Sequence, residues 1–247
     1  MTTTMTTKTK SRAQNGTHAG HPTQTAAPTA VPTATPRASA PKGIAVSVKP
    51  YNRQVLAFTL VGIAPYVGHK FSGKAVEAMK AKQEAGQTAA NRKERAPKDF
   101  EAVYQAAIHY ATEGWIGIPA PAFRNAMISA CRTIGYKMTH AKLAVKVVAD
   151  GYDREDGTPL VKIEGTPERH IAPARNDNGS MDIRCRPMWR EWSVRLRVEY
   201  DADMFTPADV ANLLQRAGLQ VGIGEGRPDS RNSCGLGWGL FDLERSS

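Results

Sequence analysis

The sequence predicts an α+β fold, an antiparallel sheet with helices against one face, and three observations point to it. Residues 54–60 alternate large apolar with smaller side chains, and 192–200 alternate apolar with polar ones, both with the period of a strand. Segments 73–86, 120–135 and 206–219 carry helical spacing and end at glycines or beside them. The two kinds are interleaved as strand–helix–strand, strand–helix–strand, the split βαβ order of an RRM/ferredoxin-like sheet. A chain of 247 residues suits one globular domain with insertions and appendages.

Taken in order, QVLAFTLVGIAP (54–65) reads as a strand with Leu56, Phe58 and Leu60 on one face, ended by Gly62 and Pro65. GKAVEAMKAKQEAG (73–86) reads as a helix with Ser72 as N-cap, and QTAANRKERAPKD (87–99) as a basic surface loop. FEAVYQAAIHYATEGWIGIP (100–119) suits two strands turned at Glu113-Gly114, and its first half would also suit a helix. APAFRNAMISACRTIG (120–135) spaces Phe123, Ala126, Met127 and Ala130 for one buried helix face and stops at Gly135. Residues 143–165 resemble two strands about a polar turn, and 166–190 reads as irregular. EWSVRLRVEY (191–200) sets Trp192, Val194, Leu196, Val198 and Tyr200 against Ser193, Arg195 and Arg197. Thr206 and Pro207 open the clearest helix, with Gly218 as its stop. LGWGLFDL (236–243) is the expected last strand.

Charge is unevenly placed. The net charge is +10, and Lys8, Lys10, Arg12, Arg37, Lys42 and Lys49 supply +6 of it within the first fifty residues, which hold no acid. Residues 1–43 are rich in Thr, Ala and Pro, too poor in apolar surface to offset ordering entropy, and are expected to be a disordered basic tail before a domain at 44–247. Cys131, Cys185 and Cys234 form no CxxC pair, which speaks against a zinc knuckle or disulfide framework and fits a cytoplasmic location. No apolar run approaches the roughly 18 residues that span a bilayer, so no membrane partner is expected.

The glycine-rich stretch VGIGEGRPDSRNSCGLGWGLFDL (221–243) leaves a helix and ends in a strand. A phosphate-cradling loop runs the other way, from a strand into a helix N-terminus, so no nucleotide cofactor is expected. The loop reads Gly222-Ile223-Gly224, then polar residues, then Gly235-Leu236-Gly237-Trp238 before Leu240-Phe241. Upstream stand Ile118-Pro119-Ala120-Pro121-Ala122-Phe123-Arg124 and Leu60-Val61-Gly62-Ile63-Ala64-Pro65. In this order the three segments resemble the RAMP superfamily, the Cas7-like proteins of CRISPR systems, and small stand-alone RAMP-type proteins carried by phages. Arg124 takes the position of that family's Lys, and Ala120, Pro121, Ala122 and Asn125 depart from its Gly and Ser positions. The resemblance implies an RRM-like domain that binds single-stranded nucleic acid, RNA or DNA, and homo-oligomers stacked side by side along the strand, with host-cell cytoplasm as the place of a phage-encoded version.

No catalytic constellation stands out. His69 beside the first helix could serve a metal-independent RNase, but no acid lies between Val61 and Ser72 for the family's aspartate-dependent cleavage. The six histidines lack HxH or HxxxH spacing and Asp153, Glu155 and Asp156 read as a hairpin turn, so no metal is expected. Seven arginines, Arg169, Arg175, Arg184, Arg186, Arg190, Arg195 and Arg197, face only Asp177, Asp182 and Glu191, and guanidinium groups fork onto phosphates and stack on bases. The expected nucleic-acid contacts are Lys70, Arg124, Arg184, Arg186, Arg195, Arg197, Gly224, Arg227 and Arg231, with Tyr136, Tyr152 and Trp189 as stacking rings. Non-catalytic strand binding is the expectation, and the alternatives are an interaction protein that imitates or caps a CRISPR-type assembly and an RNase using His69.

Overall fold

The computed structural model describes residues 47–70, 99–175, 181–230 and 236–244, together with Gly73, Glu77, Lys80 and Ala81. The last four are helical, the described part of the helix expected at 73–86. The tail at 1–43, Arg231 and Gly235 lie outside the described residues.

The fold is mixed α and β, with antiparallel pairing throughout the described strands. Strand β1 (Arg53–Gly62) continues to a short β2 (Tyr66–Val67). Helix α1 (Phe100–Ala106) occupies the first half of the segment read as two strands. Asp99 caps it by accepting from the N–H groups of Glu101 and Ala102, which favours a helix start over a strand. Beyond it the expected turn at Gly114 does form, with a bridge from Tyr110 to Ile116 and φ of 90° at Gly114. Strand β3 (Gly117–Pro119) leads directly into helix α2 (Ala120–Ala130), which tightens into a 3-10 turn and stops at a left-handed Gly135.

Helix α3 (Met138–Ala144) follows, unforeseen because no capping side chain marks its start. Strands β4 (Val145–Val148), β5 (Gly151–Tyr152) and β6 (Pro159–Glu164) come next. The stretch read as irregular is a long hairpin, β7 (Glu168–Arg175) and β8 (Met181–Trp189). Pro173 and Pro187 inside it disguise the strands, since proline removes a ladder donor. Strand β9 (Ser193–Asp201) is followed by helix α4 (Pro207–Arg216), opened by a reciprocal Thr206–Asp209 capping box. Gly218 does not end it. A π-helical turn (Ala217–Val221) carries the chain to Gly222, and Gly218 is small because a Cβ there would fall on the Phe241 carbonyl. Only Phe241–Leu243 of the expected last strand pairs, as β10.

The main sheet runs β10-β1-β9, and the far edge of β9 is shared by β4 and β6. Phe123 and Met127 of α2 and Val210, Leu213 and Leu214 of α4 share a core with Leu60, Leu196, Val198, Tyr200 and Phe241. A second sheet, β2-β8-β7, leads off the first through the short turn between β1 and β2. Gly62 permits that turn: a Cβ there would fall on the Trp192 indole, whose N–H donates to the Ala64 carbonyl.

Candidate nucleic-acid interface

A cleft of about 730 Å³ lies between the β7–β8 hairpin, the exposed side of α2 and the glycine loop. The hairpin alternates, so His170 and Ala172 on β7 and their partners Arg186 and Arg184 on β8 point to one side, into the cleft. Arg184 and Arg186 converge on Glu225 of the loop, at 3.1 and 2.9 Å. Burial alone would raise the Glu225 carboxyl, but the hydrogen bond and charge of Arg186, with Arg184, hold it below the usual carboxylate range.

Arg227 donates to the Gly224 carbonyl at 2.9 Å, and Asp229 pairs with Arg132. The lining therefore carries three arginines against two carboxylates. His69 also lines the cleft, and enclosure by the protein, followed by the Arg186 charge, holds its imidazole below the ordinary histidine value. Trp238 lines the cleft too, its ring and that of His170 packed edge to face with centroids 5.4 Å apart. Nε2 of His170 is enclosed and meets no hydrogen-bond partner among the described residues.

The glycine loop holds the protein itself. Gly222, Gly224, Gly226, Gly237 and Gly239 all have φ between 68° and 78°. A Cβ on Gly224 would sit 2.6 Å from the Val67 carbonyl and 2.7 Å from the Tyr66 ring, and one on Gly226 would meet Trp238. Glu225 N–H donates to Val67, Ile223 N–H to Gly239, and Gly239 N–H to Pro65. The glycines thus bring the loop against β2 and its own return path. Gly224 lines the cleft, but its close approach is to Tyr66 and Val67 and not to an outside backbone.

The cleft gathers Arg184, Arg186, Gly224 and Arg227 of the expected contacts. Arg195 and Arg197 lie elsewhere, on the helix-free face of β9, in a shallower groove with Thr59, Trp115 and Lys162. Arg197 is tied to Asp150 at 3.0 Å, whereas the Arg195 side chain makes no hydrogen bond or ion pair to a described residue. Two expectations are corrected outright. Lys70 is buried, its ammonium 2.7 Å from Asp153 and 2.9 Å from Glu155, so its donors are spent inside the fold. Arg124 donates to the carbonyls of Val145 and Lys142, closing the C-terminal end of α3.

Of the rings, Trp189 is only 2% exposed and packs on Tyr66. Tyr136 packs against Phe205, with centroids 5.1 Å apart. Tyr152 is exposed, but on the β5–β6 hairpin outside the cleft lining. Trp238, Glu225 and His170 went unnamed as site residues. The signal for Trp238 was its place directly after Gly235-Leu236-Gly237, while His170 and Glu225 needed the hairpin to be seen.

His109, Asp153 and Asp156 have ligand atoms within 4.8 Å of one another, a grouping the sequence did not suggest. Asp153 Oδ1 already accepts from Lys70, Glu155 N–H and Asp156 N–H, and Oδ2 from Lys70 and sits 2.8 Å from His109 Nδ1. A cation would have to displace a buried ammonium, so these donors do not fit a resident metal. No family model matches the chain, and no curated protein matches it. No described helix is long and apolar enough to cross a membrane. Chemically, the cleft offers guanidinium donors for an anion and a ring for a planar group, side by side.

Proposed function

We propose that the protein binds single-stranded nucleic acid, RNA or DNA, without cleaving it, and that copies assemble side by side along the strand. The observation that carries the reading is the cleft, where Arg184, Arg186 and Arg227 share one cavity with the Trp238 ring. Arginine and an aromatic face together suit one phosphate–base step, because the base stacks while the phosphate takes forked N–H donors. Unpartnered Nε2 of His170 adds a polar contact beside the ring.

We place the domain among RRM/ferredoxin-like, RAMP-type folds. The antiparallel order β10-β1-β9-β4 supports this, with α2 between β1 and β4 and α4 between β9 and β10.

The test is titration of a labelled single-stranded oligonucleotide into the wild type and the triple variant R184Q/R186Q/E225Q. The triple change removes charge while keeping hydrogen-bonding groups, so no carboxylate is stranded. Loss of two phosphate contacts should weaken binding and flatten the slope of log K against log salt by about 1.4, at roughly 0.7 per contact. A folded variant with wild-type affinity and slope would refute the cleft as the binding site.

A further inference from the structure

The groove on the helix-free face of the sheet collects hydrogen-bond donors that nothing in the fold uses. Thr59 of β1 stands directly opposite Arg195 of β9. Gly62 donates to Trp192, so the even-numbered pairs of β1 with β9 are the hydrogen-bonded ones. Thr59 and Arg195 form a pair of the other kind, whose side chains lie closest together. Ser193 projects from the same face of β9, two residues and roughly 6.7 Å from Arg195. All three line the groove. Among the described residues, neither hydroxyl and no nitrogen of the Arg195 side chain has a hydrogen bond or ion pair.

Trp115 supplies a further donor on the groove wall. Its six-membered ring lies over two glycine backbones: Cζ3 is 2.9 Å from where a Cβ on Gly117 would stand, and Cζ2 is 2.7 Å from one on Gly151. Any side chain at 117 or 151 would collide with the indole, so the two glycines seat it. Its Nε1–H reaches solvent and meets no partner among the described residues, unlike the enclosed indole nitrogen of Trp189. The acceptors of the groove, in contrast, are committed. Asp150 accepts from the Arg197 guanidinium and from the Lys162 N–H, each at 3.0 Å, and Glu164 pairs with the Lys162 ammonium at 3.1 Å. Lys162, Arg195 and Arg197 thus face only Asp150 and Glu164, and Arg195 carries the charge left over.

We infer that this groove is a phosphate site, with Arg195 as its charge and the hydroxyls of Thr59 and Ser193 and the indole N–H of Trp115 as its hydrogen-bond donors. A phosphate group brings acceptor oxygens and a negative charge, and asks for no acceptor in return. A cationic ligand would find every carboxylate of the lining already paired. A carboxylate ligand offers two oxygens in one plane. Donors on three separate segments, β1, β9 and the turn before β3, suit the tetrahedral oxygens of phosphate instead.

Such a group comes from the backbone of a nucleic-acid strand or from a small phosphate ester. Neither source needs the cleft, whose lining shares no residue with the groove. Strand binding in the cleft and phosphate binding in the groove can therefore fail separately.

The experiment is an NMR titration of the nuclease-treated full chain with inorganic phosphate at constant ionic strength, with chloride as the control anion. The expected result is a saturable shift of the Trp115 indole N–H, assigned by its loss in Trp115→Phe, and of the Thr59, Ser193 and Arg195 amides. Arg195→Gln changes an exposed side chain, so it should keep the remaining spectrum and abolish these shifts. T59V/S193A should raise the apparent Kd by about tenfold, because it removes two hydrogen bonds to a charged group. R184Q/R186Q/E225Q should leave the shifts intact, since the anion sits outside the cleft. Glycerol phosphate and a single-stranded oligonucleotide, each added to that triple variant, separate the sources. Movement of the groove signals with the oligonucleotide means that a strand reaches the groove, and movement with the ester alone means that the ligand is small. Movement with neither would overturn the inference. So would a wild type without saturable shifts, shifts that survive R195Q, or shifts that vanish in the triple variant.

Discussion

Lys70 and His69 are neighbours in the chain, yet one side chain is sealed in the fold while the other lines the cleft. Burial disfavours the Lys70 ammonium, and the hydrogen bonds of Asp153 and Glu155 outweigh it, raising the lysine above its ordinary value. Asp153 is likewise disfavoured by burial, but Lys70, the Glu155 N–H and His109 hold its carboxyl below the usual range. Breaking a buried pair strands a charge, which costs about 3–5 kcal/mol. Lys70→Met should therefore lower the unfolding free energy obtained from urea titration by an amount of that order. The pH dependence has two limits. The depressed Asp153 contributes stability above its unfolded value of roughly 3.9, lost as pH falls through the folded one. The raised Lys70 contributes below roughly 10.4, and that is lost as pH rises through its folded value. Midpoints measured across pH should show a plateau between these limits. In Lys70→Met the acid-side loss should shrink and end at higher pH, because Asp153 is then depressed less, and an unchanged acid profile would mean the pair is not what depresses Asp153.

At the scale of elements, the glycine loop makes the sharpest prediction. Gly224→Ala puts a Cβ against Val67 and Tyr66, and Gly239→Ala puts one on the Ile223 carbonyl, both at positive φ. Each should cost more than the roughly 1–2 kcal/mol of left-handed strain alone. Gly237→Ala meets nothing within 4 Å and should cost only that strain. Thermal melts of the three variants would rank them, and equal losses would show that packing of the loop contributes nothing. These contacts lie between residues far apart in the chain, which is why the glycines could be read as facing a ligand. Strands β1 and β9 and helices α2 and α4 were legible because each buries one face and so imposes its period on the sequence. The β7–β8 hairpin was not, since its prolines and arginines break that period, and Arg184 and Arg186 could not be matched to Glu225. Lys70 looked like a surface cation because its partner, Asp153, belongs to a distant turn.

For the whole molecule, the proposed binding predicts a preference and a salt law. Single strands should bind more tightly than duplex, whose bases cannot reach Trp238. If about five phosphates are contacted, log K should fall with log salt at a slope near −3.5. Labelled RNA should remain intact through the assay, and a product that vanishes in His69→Ala would replace binding with cleavage. Equal affinity for duplex and single strand would remove the stacking role of the cleft. The placing of β1 between β9 and β10 governs something else, the timetable of folding. The register from Leu60 to Leu243 joins nearly the two ends of the described chain, and Phe241 packs on Phe123 and Trp192. Contacts so distant in sequence slow folding, because long loops must close before the pairing is rewarded. During synthesis the sheet cannot close until its last strand has left the ribosome, so β1 emerges first and waits longest for its neighbours.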